Sequence, residues 1–151
     1  TNAAVYIHEG HTGWVVGAYI NYDRQGENFS EFLQTLGEQS CSLISQEKSL
    51  RFFTDGISFT NWIDTDDLDF DGNEVVAVGC FDGDRCMAVI VFFRSDSKRF
   101  NSESVKIIES LSPIFGSQLG KILKIHRRSQ TTWPSESIDT DDDDWSFGNA
   151  A

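Results

Sequence analysis

At 151 residues and 39% hydrophobic, the chain has the length of one domain and enough apolar material for a packed core, which excludes global disorder. Twelve Lys and Arg stand against 24 Asp and Glu, a formal charge of −12 with no clustered basic face, which excludes nucleic acid as a partner and disfavours an anionic membrane surface. No apolar run reaches the roughly 18 residues of a spanning helix, and no basic-then-apolar leader opens the chain. The expectation is therefore a cytoplasmic protein, with Thr1 in place of Met reading as the start of a fragment or processed chain.

Ala4 to His8 is a short strand, His11-Thr12-Gly13 a turn, and Trp14 to Tyr22 a second strand rich in Val, Ile, Trp and Tyr. The two make a hairpin. Asn28 then opens a helix, with Glu31 placed as in a capping box. Phe29, Phe32, Leu33, Leu36, Leu43 and Ile44 follow helical spacing, and Gly37 weakens the middle. Leu50 to Phe53 reads equally as a continuation of the helix or as a short strand. Residues 54–73 read as loop, dense in Thr, Asp, Asn and Gly.

Glu74 to Phe81 and Cys86 to Arg94 are apolar on both alternating faces, which marks central strands covered on both sides. Asp82-Gly83-Asp84 joins them as a turn. Asn101 or Ser102 caps a long final helix that Pro113 should kink and whose C-terminal end carries Lys121, Lys124, Arg127 and Arg128. Its apolar residues form two stripes. One holds Val105, Ile108, Phe115, Leu119 and Ile122; the other holds Ile107, Leu111, Ile114 and Ile125. One stripe suffices to seat a surface helix on its own core. The second is read as an interface that makes the protein a homodimer.

The order strand, strand, helix, crossover, strand, strand, helix is α+β. It predicts a central antiparallel sheet with the long C-terminal helix on one face and a helix/loop crossover on the other. Residues 1–128 are read as the folded domain. Residues 129–151 are an acidic linker or tail, with Glu136, Asp139 and Asp141 to Asp144 and no Lys or Arg. They carry half of the net charge. Trp133, Trp145 and Phe147 punctuate this acid, as in segments that dock on a basic surface.

Several residue groups carry chemistry. Asp67, Asp69 and Asp71, followed by Gly72, match the first half of a calcium loop, but the twelfth position is Val78 rather than a bidentate Glu. Calcium is therefore a candidate on half a motif, against a solvated acidic turn. His8, His11 and His126 are scattered. Cys41, Cys80 and Cys86 are odd in number, which argues against a disulfide framework. Cys80 and Cys86 flank the Gly83 turn; they read first as two small buried thiols in central strands, and would face each other if the loop is three residues long. Asp82 and Asp84 beside them would raise a thiol pKa, with Arg85 the one counterweight. No phosphate-cradling glycine loop, nucleophile elbow or paired catalytic carboxylate is present, so nothing supports an enzyme.

The stretch Val75 to Leu123, VVAVGCFDGDRCMAVIVFFRSDSKRFNSESVKIIESLSPIFGSQLGKIL, resembles the C-terminal part of a GAF domain, the small-molecule sensor module of signalling proteins. Two hydrophobic strands, a basic-then-Phe turn at Lys98-Arg99-Phe100-Asn101 and a Leu/Ile-rich helix carry the resemblance. The Val5 to Tyr22 hairpin fits the family's first strands. PAS domains share a related architecture and are the fold alternative, but a long helix directly after the last strand favours GAF. The family's usual opening helix is missing here or lay upstream. Asn61 is followed by Trp62, and none of the cysteines by His, so cyclic nucleotide and bilin are both disfavoured.

The resemblance implies a non-catalytic sensory or regulatory domain of a larger signalling protein. It would bind a small molecule or a protein and act on a downstream effector domain through the terminal helix. Its pocket would lie between the sheet and the 45–73 crossover, lined by Phe52, Phe53, Phe59, Trp62, Val76, Val78 and Cys80. Two alternatives stand beside it. One is a dimerisation or docking module with a collapsed pocket; the other is a cysteine-based redox protein, such as a free-methionine-sulfoxide reductase of the same fold.

Overall fold

The strands pair as their alternation requires. The computed structural model describes residues 1–21 and 28–131. Strands β1 (Asn2–Glu9) and β2 (Gly13–Ile20) form the first hairpin, followed by helix α1 (Phe29–Ile44), strand β3 (Arg51–Phe53) and helix α2 (Gly56–Trp62). Strands β4 (Asn73–Asp82) and β5 (Arg85–Ser95) form the second hairpin. A single 3₁₀ turn over Asp96–Lys98 leads into helix α3 (Ser102–Thr131). All five strands join one antiparallel sheet in the order β2-β1-β5-β4-β3. The fold class is thus α+β.

Period-two alternation assigns the faces. Register pairs Val89 with Tyr6, and Val91 with both Ala4 and Ala77. These side chains point to α1 and α2, where Leu33, Leu36, Cys41, Ile44, Phe59, Ile63, Leu68 and Phe70 complete the main core. The intervening residues, Val76, Val78 and Cys80 with Ile90 and Phe92, point to the α3 face. The face opposite α3 is therefore covered, but not by residues 45–73 alone: α1 supplies Leu33, Leu36, Cys41 and Ile44 of that cover.

Local differences from the sequence reading have physical causes. Residues 54–73 are not all loop. Asp55 caps α2 by accepting from Ser58 N at 2.7 Å, and Phe59 and Ile63 fold inward one turn apart. Asn28 precedes α1 without a side-chain cap bond, so the capping box does not form. Within Leu50 to Phe53, Arg51–Phe53 resolves to strand, because β4 offers an edge to these three residues. The β4–β5 turn is two residues, Gly83-Asp84, rather than three. Asn101 is the cap of α3, accepting from Ser104 N at 2.7 Å. The helix runs unbroken through Pro113. The carbonyl that Pro113 leaves without its helical N–H, that of Glu109, accepts instead from the Ser112 hydroxyl at 3.1 Å. The tail reading falls almost wholly on residues 132–151, outside the described residues.

Candidate functional site

The sequence-predicted pocket residues divide between the two faces of the sheet. Phe53, Phe59 and Trp62 lie on the α1/α2 face. There Phe59 stacks edge-on to Phe53 at 5.4 Å and to Phe70 at 5.1 Å, and Phe70 meets Phe93 at 5.3 Å. Phe59, Phe70 and Phe93 are each no more than 1% exposed. Rings fill the space between sheet and crossover. Phe52, Val76, Val78 and Cys80 lie on the opposite face, because residues 52 and 53 are successive in one strand and must point opposite ways. The seven residues therefore do not line one cavity.

The α3 face holds an apolar groove, while a more polar cleft of about 480 Å³ lies beside α1, between Asn28, Glu31, Glu38 and Asp67. Helix α3 lies chiefly over β4 and seats itself through small residues four apart. Ser112, Gly116 and Gly120 are buried, while the large apolar side chains flank them. A Cβ at Gly116 would lie 2.5 Å from Phe81 N and 2.6 Å from Cys80 C, so the helix backbone rests almost on the strand. Beside this seam the helix and sheet diverge. They leave a groove of about 320 Å³ lined by Val78, Ile90, Phe92, Ile108, Leu111 and Phe115, with Ser112 at its floor. That size is at the low end of small-molecule sites, and its lining is apolar. Of the predicted pocket residues, Val78 lines this groove. Sequence reading missed Ile90, Phe92, Ile108, Leu111, Ser112 and Phe115 as liners. The signal for the groove was the Ser112/Gly116/Gly120 spacing, which forces close approach along one line of the helix.

Leu111 and Phe115, on the groove wall, are 53% and 41% exposed. The predicted interface residues Ile107, Ile114 and Ile125 are 50%, 56% and 66% exposed. Ile20, on the same sheet face through its pairing with Ala3, is 49% exposed. An apolar surface thus runs from the outer side of α3 across the groove toward the β1–β2 hairpin.

The start of α3 is anchored by a polar knot. The buried Glu74 carboxylate accepts from Phe100 N at 2.6 Å. The Arg94 guanidinium lies 4.8 Å from the Phe100 ring centre and donates to Thr1 Oγ1 and to the Arg99 carbonyl. Phe100 of the basic-then-Phe turn therefore fixes the helix entry against Phe52 and Arg94.

The other candidate chemistries are not assembled. Among the described residues no three His, Cys, Asp or Glu side chains are grouped to hold a metal ion. Asp67, Asp69 and Asp71 alternate with buried Leu68 and Phe70, and their polar atoms serve the turn. Asp69 Oδ1 accepts from Asp71 N, Asp71 Oδ1 accepts from Gly72 N, and Asp67 N donates to Thr65 Oγ1. His8 packs edge-on against Trp14 at 5.0 Å.

The three cysteines are free. Cys80 and Cys86 do not face each other: an irregularity between Cys80 and Phe81 pairs Cys80 with Ala88 and Cys86 with Phe81. Burial pushes the Cys86 thiol up to about 11 and the Cys80 thiol up to about 12, and raises Cys41 further. The cause is desolvation of the thiolate first, not the neighbouring aspartates of the sequence reading. Thiols held protonated in this way are poor nucleophiles near neutral pH.

No family model matches the chain, and no curated protein sequence does. Among solved structures it is similar to the GAF domain/HD domain protein from Geobacter sulfurreducens, at a TM-score of 0.57 and 14% identity over 81% of this chain and 82% of that one. With its five-stranded antiparallel sheet and long terminal helix, the fold of this chain is GAF-like.

Proposed function

We propose that this chain is a non-catalytic regulatory domain of a larger signalling protein, and that it senses occupancy of the groove between α3 and β5. The carrying observation is the asymmetric seat of α3. The helix is held along one line by Ser112, Gly116 and Gly120, with open apolar space on one flank. A small apolar ligand, or a protein side chain, wedged between Ile90 and Ile108 would push the helix about that line. Movement of a 30-residue helix is then carried toward a downstream domain past Arg128. The GAF-like fold of a protein whose name also includes an HD domain supports a regulatory reading.

The test is a screen of small aromatic fragments against the full chain by NMR. Fragments that shift the Ile90 and Ile108 methyls should also shift the Leu123 and Ile125 amides. Groove binders that leave Leu123 and Ile125 unmoved would overturn the transmission reading.

A second reading, dimerisation through α3, is supported by the half-exposed Ile107, Leu111, Ile114 and Ile125. The two readings share Leu111, while Ile107, Ile114 and Ile125 lie outside the groove lining. A redox role finds no support in thiols this buried.

A further inference from the structure

The groove and the outer face of α3 share a wall, made by Leu111 and Phe115. Ile107, Leu111, Ile114, Phe115, Ile122 and Ile125 are each between 41% and 66% exposed. At 3.6 residues per turn they fall within an arc of about 100° on the helix. Between Ile107 and Ile125 the one polar residue of that arc is Gln118. At roughly 200 Å² for a large apolar side chain, these six leave on the order of 650 Å² uncovered per copy. Two such faces together reach the roughly 1,200 Å² at which stable interfaces begin. The occupant of matching size and chemistry is the same face of a second copy.

Charge sets the direction of pairing. Residues 110–131 of α3 hold Lys121, Lys124, Arg127 and Arg128 and no Asp or Glu, whereas residues 102–109 hold Glu103 and Glu109 against Lys106. A parallel pair would bring two cationic halves together at one end, even with Lys124 paired to Asp82. An antiparallel pair sets each cationic half beside the acidic start of the other helix and opposes the two helix dipoles. Lys121 and Arg128 border the apolar arc on the same flank as Glu103, away from the groove. Antiparallel packing turns that flank of one helix toward the same flank of the other.

Gln118 sets the register. An amide both donates and accepts, so two Gln118 side chains meeting at a two-fold axis satisfy each other. Leu111 and Ile125 lie seven residues to either side of Gln118, and Ile114 and Ile122 lie four. The second copy's Ile125 then comes opposite Leu111, and its Ile122 comes opposite Ile114 and beside Phe115. The groove is open where Leu111 and Phe115 are exposed, which is the side the second helix covers.

We infer that two copies pair through α3, antiparallel about Gln118, and that Ile122 and Ile125 of each copy complete the groove of the other. This rests on the readings of the groove and of α3 proposed above. It adds that the ligand site is shared. An apolar ligand against Val78, Ile90, Phe92 and Ile108 of one copy also touches the terminal half of the other copy's helix, so occupancy and pairing strengthen each other.

The experiment uses the full chain. The parent should sediment as a dimer and show a methyl contact between Leu111 and Ile125 by NMR. These residues lie about 21 Å apart along one helix, so the contact can come only from a second copy. Under mild oxidation Gln118→Cys should cross-link to itself, and Leu111→Cys should cross-link to Ile125→Cys but not to itself. The parent, with Cys41 and Cys80 buried, is the control.

Indole, as the probe, should shift the Ile90 and Ile108 methyls of the parent. In Ile122→Glu, a surface substitution outside the groove lining, the chain should be monomeric and bind indole roughly tenfold more weakly, the measure of a few lost apolar contacts. Ile57→Glu, exposed on α2, should change neither property. A monomeric parent, or self-cross-linking of Leu111→Cys, overturns the pairing. Equal indole affinity in the parent and in monomeric Ile122→Glu overturns the shared site while leaving the groove as a binding surface. A dimer with the Leu111–Ile125 contact whose Ile90 and Ile108 methyls ignore indole overturns the groove reading, and the shared site with it.

Discussion

Replacing Gly116 and Gly120, separately, by Ala puts the seating of α3 to a direct test. Both glycines are buried in the interior of the helix, so both variants gain about 1 kcal/mol of helix propensity. They differ in what the new methyl meets. At Gly116 its neighbours are backbone: Phe81 O, Phe81 N at 2.5 Å and Cys80 C at 2.6 Å. None of these atoms can rotate aside, because they are backbone of β4, held in the sheet by pairing with β5 at Cys80 and Phe81. The helix must lift by more than half an ångström from the strand, which opens the contacts of Ser112 and Leu119 as well.

Overpacking of this kind costs about 1–3 kcal/mol, and an immovable partner puts it at the upper end. After the propensity gain, Gly116→Ala should lose about 2 kcal/mol, or roughly 6 °C in Tm for a chain of this size. At Gly120 the methyl meets the Asp82 side chain, with Cγ at 2.8 Å, and that side chain can swing away. The cost is the Lys124–Asp82 pair of 3.0 Å, whose lysine is largely exposed and which is worth less than about 1 kcal/mol. Gly120→Ala should therefore fall within about 0.5 kcal/mol of the parent. Thermal and urea unfolding followed by circular dichroism give both values. Equal destabilisation of the two variants, or a Gly116→Ala protein as stable as the parent, would refute the account of how α3 is seated.

Four further outcomes are expected. Ile114→Glu should abolish any self-association seen for the parent at high micromolar concentration by sedimentation; a parent that is monomeric there removes α3 as a dimer interface. Millimolar calcium should leave Tm where it is in both the parent and Asp69→Ala, since binding to the folded state would raise it by mass action; a rise in the parent alone would restore the Asp67/Asp69/Asp71 site. Cys86 should react with iodoacetamide at pH 7.5 far more slowly than a free thiol, with fewer than about one thiol in a thousand ionised at a pKa of about 11; rapid native-state labelling would contradict its burial. The same thiols are raised by folding above their unfolded value near 8.5, so the unfolded chain loses protons first as pH rises. Stability should therefore fall from about pH 8.5 upward as Cys80 and Cys86 approach about 12 and about 11, and a flat stability profile from pH 8 to 11 would speak against it.

Patterns with a fixed period were readable from the residues alone. Two-sided apolarity in Val75–Val78 and Met87–Phe93 identified central strands, because only a strand covered on both faces can keep Val and Phe at every position. Helical spacing from Phe29 to Ile44 and from Ser102 onward identified α1 and α3, and an excess of apolar positions on α3 marked a surface that its own core does not use. Those features are local, so the order of elements and the α+β class followed from them.

The site did not follow in the same way. Phe52 and Phe53, or Val76 and Phe59, read as one apolar set until pairing decides which way each points; a single step along a strand moves a side chain through the sheet to a different cavity. Whether Asp67, Asp69 and Asp71 converge, and whether Cys80 faces Cys86, depended on turn geometry and on one irregularity in register. Above all, the groove exists because Gly116 lets α3 rest on the backbone of β4 while Ile108 and Phe115 hold it away from β5. How one helix sits across two neighbouring strands is set by side chains distant in sequence, and only the packed structure decides it.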